Sequence, residues 1–197
     1  MVNGEKIKTH DLFLWKRFLN GDQKALEDIY KSNFQALYNY GMRIHGDPDL
    51  VKDTIQELFM DIINSLKNLG ETDNIRFYLI VAFRRKIMVT LKKKGNFLLT
   101  DSNQAFDFDF DVSAEDSMII NEEKSSTRLK LRKIINNLSS RQKEAVFLKF
   151  YYDMTYEQIT KIMGINYQSA RSIIYKAVHV MREVFEREKH TEKVRAH

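Results

Sequence analysis

An all-α fold, two small helical domains joined by an acidic linker, follows from three features of the 197-residue sequence. Apolar residues recur at three- and four-residue spacing through successive segments, the signature of amphipathic helices. One proline and seven glycines supply too few turn formers for a sandwich or barrel. Charge is also segregated: residues 1–96 carry a net +4, residues 97–126 a net −7, and residues 127–197 a net +8. The expected organisation is a first helical domain over 1–96, a flexible acidic linker over 97–126, a second helical domain over 127–186 and a charged, frayed tail over 187–197.

The first helix has an apolar face of Leu12, Trp15, Phe18 and Leu19 and stops at Asn20-Gly21. Asp22 can cap the second, whose stripe includes Leu26, Ile29, Tyr30, Phe34, Leu37 and Tyr38. "GDPDL" is a strong start signal, with Asp47 at the N-cap and Pro48 in the first helical position. That third helix runs to about Leu66, and a fourth spans roughly Asn74 to Lys94. Residues 95–126 break the pattern; "FDFDFDV" alternates with period two but has no partner strand. Helical spacing resumes with Leu129, Leu131, Ile134, Ile135 and Leu138. Ser139 with Gln142, and Thr155 with Gln158, have the spacing of capping boxes.

Several function classes fall away early. The absence of cysteine removes disulfides and thiolate metal sites. The five histidines show no ligand spacing, so no metal, cofactor or catalytic site is expected. "YLIVAF" is too short to span a bilayer, and "MVNGEKIKTHD" lacks an apolar signal core, so neither membrane insertion nor export is expected.

The stretch "TYEQITKIMGINYQSARSIIYKAV" reads as two short helices around Gly164, with Asn166 capping the second. On a wheel of residues 166–182, Ala170, Ile174, Ala177, Val178 and Met181 form one apolar stripe. Gln168, Ser172, Tyr175, Lys176 and His179 oppose it, with Arg171 and Arg182 at the margin. This is the helix-turn-helix pattern, in which the second helix reads base edges while cations hold phosphates. An amphipathic pair with a solvated polar face is the plainer alternative.

Two faces of the first domain stand out. In the helix after Pro48, Val51, Ile55, Leu58, Phe59, Ile62 and Leu66 point inward. Asp53, Gln56, Glu57, Met60, Asp61 and Asn64 share the other side, as a solubilising face or a docking surface for a basic partner. The fourth helix interleaves Arg76, Arg84, Arg85, Lys86, Lys92, Lys93 and Lys94 with Phe77, Tyr78 and Phe83, a mixture suited to single-stranded DNA, although any single aromatic there is better read as core and only the basic cluster as a DNA surface.

"GDQKALEDIYKSNFQALYNYGMRI", "DPDLVKDTIQELFMDII", "FYLIVAFRRKIMVTLKKK", "LSSRQKEAVFLKFYYDMTYEQITKIMGI" and "SARSIIYKAVHVMRE", in that order, resemble the extracytoplasmic-function sigma factors of the bacterial sigma-70 family. The resemblance covers about Phe18 to Glu183. It implies a protein that is not an enzyme, docks on core RNA polymerase and recognises promoter DNA, working in the cytoplasm and at the nucleoid. The first domain is similar to sigma region 2, and Asp53, Gln56, Glu57 and Phe59 are similar to its "D..QE.F" signature. The resemblance thus implies polymerase binding by Asp53, Gln56, Glu57, Met60 and Asp61. It implies −10 DNA contact by Arg76, Tyr78, Arg84, Arg85, Lys86, Lys92 and Lys93. The second domain is similar to region 4, which implies −35 contact by Tyr167, Gln168, Ser169, Arg171, Ser172, Tyr175 and Lys176. Family members are commonly held by an anti-sigma factor.

The sequence departs from the family pattern at Arg85, where many members have asparagine, at Ile173, often arginine, and at Thr160, usually alanine. A stand-alone helix-turn-helix regulator is the competing reading, though it leaves the Asp53–Asp61 face unexplained. An enzyme built on Asp53 and Glu57 ranks last, since no histidine completes a metal-binding helix pattern.

Overall fold

The computed structural model describes residues 2–94, 108–109 and 131–195, and all of its regular elements are helical. The chain divides into two units, Met1–Ser102 and Asn103–His197.

The first unit packs four helices: α1 (Val2–Leu19), α2 (Gln23–Ile44), α3 (Pro48–Asn64) and α4 (Ile75–Lys93), with a 3-10 turn at Leu66–Asn68. The starts of α2, α3 and α4 are each fixed by a short-range acceptor. The Asp22 carboxylate accepts from the amides of Lys24 and Ala25, and the Asp47 carboxylate from those of Asp49 and Leu50. At α4 the cap is double: Asn74 Oδ1 accepts from Phe77 N at 2.9 Å, and Asp11 of α1 accepts from Ile75 N at 2.9 Å. A long-range carboxylate thereby pins the start of α4 to α1.

The core is built from Trp15, Phe18, Ile29, Leu37, Ile55, Leu58, Ile62, Leu79, Ile80, Phe83 and Ile87, all buried. Each such side chain contributes about 1.5–3 kcal/mol by leaving water. α2 packs tightly on α3 and α4 at Gly41, where an added Cβ would lie 2.6 Å from Val51 Cγ1 and 2.9 Å from Phe83 Cζ. The buried stripe of α2 is Ala25, Ile29, Asn33, Leu37, Tyr40, Gly41 and Ile44, rotated from the expected one. Leu26, Tyr30, Phe34 and Tyr38 are only partly buried. Three of them form an aromatic ladder along the margin: Tyr30 to Phe34 at 5.5 Å, Phe34 to Tyr38 at 6.0 Å, with Phe59 edge-on to Tyr30 at 4.9 Å. Asn33 enters the core because its amide donates to the Ile29 carbonyl at 2.8 Å.

The second unit comprises α5 (described over 131–136), α6 (Ser140–Val146), a π turn (Phe147–Tyr151), α7 (Tyr156–Met163) and α8 (Tyr167–Arg195). Both expected capping boxes are formed, by Ser139 with Gln142 and by Thr155 with Gln158. Leu138, Val146 and Ala177 make one apolar cluster, with Val180 and Met181 packed against it. Leu131, read as part of the apolar pattern, is exposed, while Leu129 lies outside the described residues.

Two further differences concern the ends of this unit. α8 continues to Arg195, so most of the expected frayed tail is helical. Glu183 pairs with Arg187 at 3.8 Å, and with His179 at 3.7 Å when the imidazole is protonated, one turn away in each direction. Of the expected acidic linker, Phe108 and Asp109 are described; Phe108 is fully buried and meets the Phe147 ring at 5.7 Å. The rest of the linker lies outside the described residues. Among the described residues, no helix is long and apolar enough to cross a membrane.

Candidate functional site

The helix pair α7–α8 is joined through Gly164, whose φ of 65° closes α7 in the left-handed region. Asn166 then caps α8, its side-chain oxygen accepting from Ser169 N at 2.7 Å. Ala170, Ile174 and Ala177 are buried and fix the helix's roll. Consequently Tyr167, Gln168, Arg171, Ser172, Tyr175 and Lys176 all face solvent, and Ser169 sits at the margin. Tyr175 is 73% exposed, a large ring with no place in the core. Tyr167 is braced edge-on against Tyr156 of α7 at 5.9 Å, and Lys149 Nζ lies 5.4 Å from the Tyr156 ring centre. Thr160 fits the first helix because its hydroxyl donates to the Glu157 carbonyl at 2.7 Å. The Glu157 carboxyl lies below its ordinary range, held there by its own backbone amide and then by the Thr155 hydroxyl.

On α3, Asp53, Gln56, Glu57, Met60 and Asp61 are exposed on one face, opposite the buried Val51, Ile55, Leu58, Phe59 and Ile62. Met60 at 56% and Ile63 at 40% add apolar surface to this acidic face. It can receive a basic, partly apolar helix or strand.

α4 places its residues differently. Arg76, Arg85, Lys92 and Lys93 are exposed, whereas Tyr78, Arg84 and Lys86 are partly buried and Phe83 is wholly core. Tyr78 packs on Trp15 at 5.0 Å, and burial raises the pKa of its phenol. Trp15 in turn donates to the Gly70 carbonyl at 2.9 Å, tying the α3–α4 connection to the core. Between α3 and α4 lies an open groove of about 430 Å³ whose lining includes Ile62, Leu69, Tyr78, Arg85 and Val89.

Lys86 joins the two faces. Its ammonium contacts Asp61 at 2.6 Å and Glu57 at 3.3 Å. Partial burial disfavours its charge, but hydrogen bonds to Asp61 and Glu57 outweigh that and hold its pKa above the ordinary lysine value. Sequence reasoning assigned Lys86 to one surface and its two partners to another. The link could not be read from helical wheels, because it depends on how α3 and α4 cross. Among the described residues, no cluster of histidine or acidic groups suits a metal ion.

Residues 128–178 match the family model described as "Sigma-70, region 4". Among curated proteins, the chain is 26% identical over 162 residues to the RNA polymerase sigma factor SigZ of Bacillus subtilis, covering 82% of this chain and 87% of that one. It is 20% identical over 154 residues to RNA polymerase sigma factor YlaC of the same organism, covering 78% and 87%. It is 24% identical over 176 residues to the ECF RNA polymerase sigma factor SigK of Mycobacterium tuberculosis, covering 86% and 90%. Two solved structures share the fold: CnrH in complex with the cytosolic domain of CnrY, and RpoE of Bartonella quintana in complex with the anti-sigma factor NepR. The first has a TM-score of 0.57 at 12% identity, covering 89% of this chain and 97% of that one. The second has a TM-score of 0.57 at 16% identity, covering 83% and 98%.

Proposed function

We propose that this chain, a member of the extracytoplasmic-function group of the sigma-70 family, binds core RNA polymerase and directs it to promoters that it reads with both of its units. The observation that carries this reading is the coexistence of two unlike surfaces on one chain. α8 presents a hydrogen-bonding and cationic face behind a glycine turn, and α3 presents an acidic face edged by Met60 and Ile63.

In this reading α8 enters the major groove of the −35 element. Gln168, Ser169 and Ser172 face base edges, Arg171 and Lys176 meet phosphates, and Tyr167 and Tyr175 flank them. Asp53, Gln56, Glu57, Met60 and Asp61 hold a basic face of the polymerase. Arg76, Arg84, Arg85, Lys92 and Lys93 follow the opened −10 strand, with Tyr78 at the groove as a stacking surface and Lys86 bridging back to the acidic face. The chain itself carries no catalysis; bond formation belongs to the polymerase. Its place is the cytoplasm, at the nucleoid when active, with an anti-sigma factor as a regulatory partner.

The test is co-elution of the purified chain with sigma-free core polymerase, with and without a housekeeping sigma factor as competitor. Tight binding that the competitor displaces is the expected result. Retention on duplex DNA without any polymerase binding would instead establish a stand-alone helix-turn-helix regulator.

A further inference from the structure

Lys86 and its two carboxylates are open to water to very different degrees. The Lys86 side chain is 20% exposed, whereas those of Glu57 and Asp61 are 62% and 65% exposed. The lysine stem is thus mostly covered, and its ammonium emerges among the acids of α3. It donates to Asp61 Oδ2 at 2.6 Å and stands 3.3 Å from Glu57 Oε2. Hydrogen bonds between two ionised groups are about twice as strong as neutral ones. The acidic face of α3 therefore has two parts. Glu57 and Asp61 are already matched by a cation of the chain itself, and Asp53 lies outside that bridge.

A basic group approaching Glu57 and Asp61 meets acids whose charge is in use, together with an ammonium of its own sign. It gains their full attraction only if Lys86 withdraws, because like charges placed together across an interface oppose binding. The bridge leaves room for that withdrawal. One open groove of about 470 Å³ is lined by Gln56, Glu57, Met60, Asp61 and Lys86. Lys86 and Asp61 also line the α3–α4 groove of about 430 Å³, so the two grooves meet at this ion pair. The ammonium can turn from one groove into the other while α3 and α4 stay in place.

We propose that Lys86 is a resident competitor on the docking face of α3: in the free chain it occupies Glu57 and Asp61, and a basic group of the polymerase takes these acids by displacing it. This rests on the docking role given above to α3. The exchange trades one ion pair for another, so the affinity of this part of the face is set by the difference between two cations. Lys86 thereby acts as a specificity-determining residue. A partner whose cation is poorly placed does not displace it, and the acids stay closed to general basic surfaces.

The test measures affinity for sigma-free core polymerase with the full chain, Lys86→Met and Lys86→Arg, each alone and combined with Asp61→Asn or Asp53→Asn. Lys86→Met is expected to bind about two- to fivefold tighter, the range of an ion pair open to water. Lys86→Arg keeps the bridge and is expected to bind no tighter than the unaltered chain. Asp61→Asn should cost more on the Lys86→Met background than on the original, whereas Asp53→Asn should cost the same on both. Weaker binding by Lys86→Met would make the bridge a brace that holds the acids in position, and unchanged binding would leave it without effect; either result overturns the proposal. So do equal costs of Asp61→Asn on the two backgrounds. A carbodiimide cross-link joining Lys86 to Asp61 with loss of water, located by peptide mapping, reads the bridge in the free chain, and its absence overturns the competitor. Failure of every chain, the unaltered one included, to bind polymerase would instead overturn the docking role, and the cross-link, which involves no polymerase, tells the two failures apart.

Discussion

The two units carry cations in different settings. On α8, Arg171 and Lys176 stand on an exposed face whose roll is fixed by Ala170, Ile174 and Ala177 beneath. On α4 the polar and apolar roles are interleaved: Phe83 is core, Tyr78 leans on Trp15, and Lys86 is held between Glu57 and Asp61. The roll of the α8 face is therefore set by its own buried stripe, whereas the α4 face shares its groups with the acidic helix beside it. A count of Lys and Arg would treat the two alike; what each cation touches separates them.

The largest effect expected from a single change confines damage to one unit. Gly41→Val drives a side chain into Val51 and Phe83 and should cost unit one about 3 kcal/mol. Urea unfolding followed at Trp15 should show the loss, with amide exchange in α7 and α8 unchanged. A parallel loss in α7 and α8 would mean that the units fold as one.

Next comes charge reversal of Asp53 and Glu57 to lysine. It should weaken polymerase binding by at least about a hundredfold, since like charges across an interface cost several kcal/mol. Duplex DNA binding should be retained; equal loss of both in a folded protein would erase the division between the units. Replacing Arg171 and Lys176 with alanine should act the other way round. Duplex affinity should fall, and the slope of log K against log salt should flatten by about 2, close to one counterion per phosphate contact. An unaltered slope would remove α8 from the DNA.

A finer comparison lies within α4. Lys92→Met should flatten the salt dependence of single-strand binding by about 0.7, the value for one contact. Lys86→Met should change that slope less, because its ammonium is already committed to two carboxylates. Equal effects would show that Lys86 leaves its acidic partners when DNA arrives.

The smallest effect concerns acid. The Asp22 carboxyl is depressed first by its hydrogen bond from Arg17, then by the Ala25 amide; that of Asp47 is depressed first by the Leu50 amide. A carboxyl depressed in the folded state stabilises above its unfolded pKa, and that contribution is lost as pH falls through the folded value. Asp22→Asn and Asp47→Asn should therefore make stability less sensitive to pH below about 4, near the reference carboxylate range. An unchanged acid limb would contradict these caps.

Local signals carried much of this molecule into view. Asp47-Pro48, both capping boxes and the Gly164–Asn166 turn each involve residues within four positions, so their geometry is written in short words of sequence. The acidic face of α3 and the polar face of α8 were equally legible, because helical spacing alone sorts inside from outside. Features made by distant partners were not. The rotated stripe of α2 depends on where Val51, Phe59 and Phe83 arrive, and Lys86 binds residues 25 and 29 positions earlier. Phe108 looked like linker because nothing near it in sequence predicts its ring contact with Phe147, 39 residues away. α8 outlasted its apolar stripe because i,i+4 pairing past Arg182 supports a polar helix.

In the proposed function one chain gives a polymerase its promoters through two separate readers. Transcription by purified core polymerase on a library of DNA fragments, with start sites mapped, tests it most directly. Addition of the chain is predicted to produce discrete starts sharing two upstream boxes at a constant spacing, with the distal box lost in Arg171→Ala/Lys176→Ala. Starts no different from those of core polymerase alone would contradict it.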